Sequence, residues 1–327
     1  MYQIDNATAS STLPAPSSAG TAGYFTDGNP VTGQAPTVVP AEFLNMLMME
    51  LVNLLQAAAI TPSKADRTQV AAAVRAIAQA SQVGVAGQAL KLAMSLSSAA
   101  TSATFTADEI VVESALGGLL YRMAAPSLTL NIAGTGAGGM DTGSAPTSGY
   151  VAVYAIYNPI TNAKSIIGVN ATSAAAPSVY GGANMPAGYT ASGLIAVVPT
   201  NPSGQFIACN VVDRRLSRVA VTPLAASAAV VGSLTSLSIS SAVPPNARRV
   251  SGYCEYTNST AANLSMNVSA DSLGIGMVKT SAPISSVGQP VDIPFVLDLK
   301  AAQTVYYQNY VSSGTPSYTL AVNAYEI

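Results

Sequence analysis

The 327-residue chain contains no histidine. That excludes Ser-His-Asp and Cys-His nucleophilic catalysis, histidine-ligated metal centres, and the side chain that ordinarily exchanges protons near neutral pH. Its two cysteines, Cys209 and Cys254, are too few for a disulfide framework. Both lie in apolar, strand-like runs, where a free thiol behaves as a small buried hydrophobe. Charged residues make up only 9% of the chain and the net charge is −2, against about 25% charged in an ordinary soluble chain. There is no run of lysine or arginine, so the electrostatic footprint that nucleic acid or an anionic membrane surface demands is missing, and neither is expected as a partner. The longest apolar-rich stretch, Leu44 to Ile60, is interrupted by Asn45, Glu50, Asn53 and Gln56, and predicts no membrane-inserted helix. The first residues lack a basic start and an apolar core, so export by a Sec signal is not expected.

What is present divides by pattern. Residues 1–39 are rich in proline, glycine and serine with no period, and read as an extended arm whose order must come from packing on another surface. Pro40 suits the first position of a helix, with Glu42 near its positive end. Phe43, Leu44, Leu47, Met48, Leu51, Val52, Leu54 and Leu55 then form a broad apolar face. Ser63 with Asp66 predicts the cap of a second, alanine-rich helix through about Ala80, striped by Val70, Val74 and Ile77. Together these give a helical pair over 40–81, with the stripe Phe43, Leu47, Leu51 and Leu54 too wide for its weak neighbour and suited to burial around a symmetry axis. Residues 82–103 read as a connector, partly helical through "GQALKLAMSL". From Thr104 the period becomes two, in runs such as "YVAVYAIY", "SGLIAVV" and "QFIACNVV". This predicts a middle β domain over 104–218 and, over 219–327, a C-terminal antiparallel sandwich of jelly-roll type.

Three motifs resemble chemistry. "GTGAGG", Gly134 to Gly139, matches the dinucleotide fingerprint, but "MDTGSAPTSG" after it has no helical period, so a turn between strands is expected. Asp141-Thr142-Gly143 resembles an aspartic protease lobe without a second copy or apolar flanks, and reads as a loop aspartate bonded to its own backbone. Asp213-Arg214-Arg215 reads as a structural ion pair or an interdomain contact and not as an active site. No catalytic residue, metal ligand or cofactor is expected.

The phrases "MYQIDN", "GTAGYFTDGNPVTG", the helical pair, "GAGGMDTGSAPTSGYVAVYAIYNP" and "YGGANMPAGYTASGLIAVVPTN" resemble tail fibre proteins of tailed bacteriophages and prophages, over residues 1 to about 218. The resemblance implies a virion protein of the tail, a homotrimer attached through its N-terminal region to phage tail or baseplate proteins, with its C-terminal end at the host surface. Two other roles stay open: an adaptor holding another virion protein, and a glycan depolymerase. Within the arm, Tyr24 and Phe25 with the Asp27-Gly28 turn are the expected attachment residues, although the arm folding back over its own helices is an alternative. In "VYYQNYVSSG" the alternation sends Tyr306 and Tyr310 to one face, and Tyr307 and Asn309 to the other. Tyr307 and Asn309, with Tyr256 and Asn258, are the expected contributors to a metal-free surface for a bacterial surface glycan or outer-membrane protein; burial of these tyrosines in the sandwich is the alternative.

Overall fold

The computed structural model describes residues 2–80 and 83–327. The chain divides into two compact units, Met1–Gln82 and Val83–Ile327. In the first, helix α1 spans Ala41–Ala57 and α2 spans Gln69–Ala80. Pro40 is not the first helical residue. It stands just outside α1 with extended backbone (φ −75°, ψ 156°), a position where its missing N–H leaves no helical bond unmade. The helix closes on Ala59, held at φ 54°, while Ile60 N–H bonds to Leu55 O at 2.9 Å, the left-handed termination that satisfies the last carbonyls. The expected cap of α2 does not form. Asp66 Oδ1 accepts from Thr68 N–H (2.8 Å) and Thr68 Oγ1 (2.7 Å), and α2 begins only at Gln69. The Gln69 side chain braces the interhelical loop, accepting from Ser63 N–H and donating to Thr61 O.

The second unit is mainly β, with every named strand pair antiparallel. In chain order its strands are β1 (Ala89–Leu90), β2 (Ala93–Leu96), β3 (Ser102–Thr106), β4 (Glu109–Glu113), β5 (Leu120–Ala124), β6 (Ser127–Asn131), β7 (Tyr150–Asn158), β8 (Ala163–Asn170), β9 (Ala191–Pro199), β10 (Cys209–Val212), β11 (Arg215–Ser227), β12 (Thr235–Ser238), β13 (Arg249–Asn258), β14 (Ala262–Ser269), β15 (Val278–Ile284), β16 (Val291–Asp298), β17 (Thr304–Val311) and β18 (Pro316–Glu326). One sheet runs β1-β4-β9-β7-β8, with β5 also on β4; a second runs β16-β13-β18-β11-β10-β2-β3-β6; a third runs β12-β17-β14-β15.

Strands β7 and β9 are apolar on both faces because both faces are covered. On β7, Val151, Val153 and Ala155 enter the main core, while Tyr150, Ala152, Tyr154 and Ile156 enter a second cluster. That cluster is roofed by the segment between β8 and β9: Tyr180 stacks edge-on to Tyr154 (5.7 Å), whose hydroxyl donates to Pro177 O at 2.7 Å. The glycine run at 134–139 is a turn between β6 and β7, and no helix follows it. Its backbone is stitched to β8: Gly138 N–H bonds to Ile166 O, and Gly168 N–H to Gly139 O. Asp141 bonds locally, accepting from Thr142 N–H at 2.8 Å, and also takes the Tyr180 hydroxyl.

Two expected boundaries do not match this architecture. Residue 82 lies outside the described residues, and 83–103 is not helical: β1 and β2 lie in it and belong to two different sheets. The division at 218/219 falls inside β11, which pairs with β10 through Arg218 and with β18 as far as Ser227. The main core likewise continues from Leu92 to Tyr325.

Gly252, at a bulge in β13, lies where a Cβ would collide with the Ala321 carbonyl of β18. The atoms it would meet are all backbone of β18, which cannot swing aside as a side chain would. Gly252→Ala is expected to destabilise the protein by about 2–3 kcal/mol, measured as a lowered denaturant midpoint with an unchanged slope.

Candidate assembly and recognition surfaces

The N-terminal unit leaves much of its apolar surface in water. Of the expected assembly residues, Phe43 and Leu47 are exposed and Leu51 and Leu54 half-buried; Leu44 and Met46 are each 56% exposed, and Leu55 is the one apolar residue of α1 counted as buried. The arm folds onto its own helices at defined points. Phe25 packs edge-on against Phe43 at 5.2 Å, and Glu42 accepts from Ser17 N–H and Ser17 Oγ, both at 2.8 Å, which lowers the Glu42 carboxyl below its usual range. A groove of about 570 Å³ runs between arm and helix, lined by Leu13, Pro16, Phe43, Met46 and Met49. Of the four expected attachment residues, Phe25 is partly used internally, while Tyr24 is 98% exposed. Asp27 and Gly28 open a small hairpin: Thr37 N–H bonds to Thr26 O, Asn29 pairs with Gln34, and Gly28 sits at φ 78° against the Gln34 carbonyl.

In the C-terminal strands the expected recognition residues lie on β13 and β17, in two different sheets, and all face inside. Tyr256 is fully buried; Asn258, Tyr307 and Asn309 are between 3% and 8% exposed. They cannot line an outer surface. Tyr256 stacks against Tyr318 and shares its hydroxyl with Thr280, which in turn donates to Met266 O. The two asparagines are backbone clamps. Asn309 Nδ2 donates to Ala229 O and its Oδ1 accepts from Val231 N–H, fixing the crossover from β11 to β12. Asn258 Nδ2 donates to Thr260 O and Ser313 O, joining the β13–β14 loop to the β17–β18 loop. Further bonds (Ser259 N–H to Thr315 O, Thr315 N–H to Ser259 Oγ, Gly288 N–H to Asn258 O) tie three loops into one plate. These loops, 259–261, 285–290 and 312–315, contain no charged residue.

The faces are therefore assigned the other way round. On β17, Val305, Tyr307 and Asn309 point inward, and Tyr306, Gln308 and Tyr310 point outward, Tyr310 being 58% exposed. Directly paired neighbours share a face, so the outer row continues through Ser236 on β12, Ser265 and Asn267 on β14, and Lys279 and Ser281 on β15. The opposite sheet differs. Its paired positions Glu255 and Asp292, and Arg249 and Asp298, carry charge, and Arg249 bonds to Asp298 at 2.6 Å and to Glu326 at 3.4 Å. Glu326 also takes Arg215 at 3.3 Å; in the same turn Asp213 accepts from Leu92 N–H and Arg214 donates to Ile327 O.

Cys209 and Cys254 are free and buried, and burial pushes both thiols up to about 11. Burial also raises the hydroxyls of Tyr150 and Tyr318 to about 12. Among the described residues, no helix is long and apolar enough to cross a membrane, and no three His, Cys, Asp or Glu side chains cluster as metal ligands.

No protein-family model matches the chain, and none of the curated proteins does. Among solved structures, the chain is similar to a tryptic core variant of Cry1Da from Bacillus thuringiensis, at 11% identity and a TM-score of 0.19, over 76% of this chain and 53% of that one. It is also similar to an exo-β-1,3-galactanase from Phanerochaete chrysosporium, at 14% identity and a TM-score of 0.18, over 70% and 51%. The chain thus spans about half the length of these structures, and at such scores the likeness carries no argument about fold or function.

Two outcomes follow from the buried groups. The folded state holds thiol and phenol protons that the unfolded chain releases above its ordinary values of about 8.5 and 10. Stability is therefore full below about pH 8 and falls as pH rises through about 11. Denaturant midpoints level from pH 7 to 8 and dropping from pH 9 to 11 would bear this out; a flat profile to pH 11 would contradict it. Asn309→Ala strands two backbone groups of the crossover and is expected to cost about 1–3 kcal/mol in the same measurement.

Proposed function

We propose that this chain is a tail fibre protein of a tailed bacteriophage or prophage, held to the tail or baseplate and to two further copies of itself by its N-terminal unit, and engaging the bacterial surface through its C-terminal strands. The observation that supports it best is the apolar surface of the N-terminal unit. A helix that exposes Leu44, Met46 and Leu47 by half or more is one face of an interface lacking its other side. Tyr24, almost wholly exposed beside an ordered hairpin, suits an aromatic anchor on a second protein. Display in several copies would let weak single sites act together.

We read β11 to β18 as a jelly roll. Support comes from the strand orders β16-β13-β18-β11 and β12-β17-β14-β15: the chain changes sheet at every connection except the β14–β15 hairpin, as two interlocked Greek keys require. The cross-braced, uncharged loops at one end are suited to present a fixed surface.

Leu44 and Leu47 are half-exposed in the single chain, so a charge at either position tests assembly without invading a core. The unaltered protein is expected to have a native mass of three chains at micromolar concentration, and Leu44→Asp with Leu47→Asp a mass nearer one chain, since the charges would be buried unpaired at the interface. A single-chain mass for the unaltered protein overturns the trimer. Absence of the chain from purified phage particles, probed with an antibody against it, overturns the tail assignment.

A further inference from the structure

We propose that the outer face of the β12-β17-β14-β15 sheet binds an extended, uncharged, polyhydroxylated chain, a neutral glycan, with Tyr306 and Tyr310 as stacking plates and Gln308 between them. This rests on the reading that the C-terminal strands meet the bacterial surface, and adds to it the ligand class and the residues.

Packing fixes which row faces out. The inward row Val305, Tyr307 and Asn309 is buried, so Tyr306, Gln308 and Tyr310 stand on the other side, Tyr310 exposed and Tyr306 and Gln308 half-buried. Across the strands, Tyr306 is paired with Ser236 and Ser269, Gln308 with Asn267 and Tyr310 with Ser265; Ser269 is buried under the following loop, its hydroxyl donating to Ile275 O, so the face opens from Tyr306 toward Tyr310. Beyond β14, Ser281 pairs with Ser265 and Lys279 with Asn267. Lys279 is the single charge among these positions. An anionic ligand would need several cations in that row, and a cationic one would need carboxylates, which the row lacks. Electrostatic complementarity therefore selects a neutral partner.

The remaining chemistry selects hydroxyls and flat rings. Serine hydroxyls and the Asn267 and Gln308 amides both donate and accept, which matches a ligand whose every edge is a hydroxyl. A tyrosine ring offers an apolar plate with a polar rim, which matches the face of a pyranose ring. Tyr306 and Tyr310 are four residues apart on one strand, about 13 Å, so a ligand touching both is a chain of rings and not a single one. The platform is fixed beforehand: Asn309 clamps the strand from within, and Tyr318 Oη donates to the Tyr310 carbonyl at 2.6 Å. A surface already ordered loses less freedom on binding.

The chain has no tryptophan, so its ultraviolet emission comes from its fifteen tyrosines, and the share due to Tyr306 and Tyr310 is read by difference from their alanine variants. The full-length protein would be titrated with neutral gluco-, galacto- and manno-oligosaccharides of two to eight units and with uronic-acid oligosaccharides, following emission and heat. Saturable binding of at least one neutral series, tightening with length, is expected. Tyr306→Ala and Tyr310→Ala should each weaken it about tenfold, with the denaturant midpoint unchanged. Tyr310→Phe, which keeps the plate, should weaken it less. No neutral binding at millimolar concentration, binding unchanged in the double variant, or binding only of the acidic series and lost in Lys279→Ala, overturns the proposal. So does a fall in native mass on Tyr306→Ala with Tyr310→Ala, which would make this face an interface between copies. The tail assignment is read separately: double-variant chain still found on particles keeps the fibre whatever the sugar result, while sugar binding by a chain absent from particles keeps the face and overturns the fibre.

Discussion

Strand β11 belongs to two structures at once, and the second unit depends on it. Its first four residues pair with β10 on one side, and its whole length pairs with β18 on the other, through three register shifts. Beyond Arg218 the β10 side is free, which is why Pro223 is tolerated within it: a proline without an N–H is compatible with a strand only where no ladder bond is asked of that nitrogen. By this arrangement the sheet that begins with β2, β3 and β6 continues into β18, β13 and β16 without a seam. Strand β18 closes the arrangement from the end of the chain. Its Tyr325 is buried, with the hydroxyl donating to Val197 O of β9 at 2.7 Å, so the final strand holds a sheet laid down more than a hundred residues earlier. Folding of this unit must wait for those long-range pairings, which are slow to form because loop closure comes before any contact stabilises it.

With few charges available, amides do the cross-bracing that ion pairs do elsewhere. Asn246 takes Ala176 through both its Nδ2 and its Oδ1, at 2.8 Å each way; Asn309 fastens a crossover in the same manner, and Asn258 fastens two loops through its Nδ2 alone. An asparagine clamp satisfies two backbone groups that would otherwise be buried unpaired, and unlike a buried ion pair it carries no charge to desolvate. Most ions are paired near one end of the sandwich: Arg215, Arg249, Asp298 and Glu326 form one network, and Lys300 with the backbone N–H groups of Ile275 and Leu273 holds the Asp271 carboxyl below its usual range. Toward the other end Glu255 and Asp292 stand opposite each other, and only the loops beyond them are uncharged.

The sequence was readable where a local pattern determines the structure. Alternation in "VDIPFVLDL" and "NLSMNVS" marks β16 and β14, and the glycine run at 134–139 could be separated from a nucleotide loop because no helical period follows it. Reading failed where the partner is distant. Leu90 and Met94 in "GQALKLAMSL" have helical spacing, yet Lys91 turns left-handed at φ 55°, and β2 pairs with β10, over a hundred residues away. No local signal could show that, nor that β11 would carry one sheet across an apparent domain boundary. The cap of α2 was misplaced for a related reason: Asp66 prefers its near neighbours Thr68 N–H and Oγ1 to a helix start, a competition between local bonds that the capping pattern alone does not decide.

In β17 alternation separates two rows, but the expected outer row, Tyr307 and Asn309, is the inner one. Apolar alternation identifies the inner face only when one row is apolar, but in Tyr306-Tyr307-Gln308-Asn309-Tyr310 both rows hold tyrosine and an amide. Such a strand is weakly specified in register, because a slip of one residue exchanges rows of similar polarity. Asn309 removes the ambiguity in the folded protein. Its two bonds to the crossover at Ala229 and Val231 are available in one register, and a one-residue slip would leave an amide and two backbone groups buried without partners. The inner polar residue thus fixes the register, and in doing so allows the outer row to be polar without loss of definition. A strand whose inner face were wholly aliphatic would also be well defined, but it would not tie the crossover down beside it. The outward Tyr306, Gln308 and Tyr310 therefore stand on backbone held from behind by side chains that never reach the surface, which is the division of labour that a preorganised binding face requires.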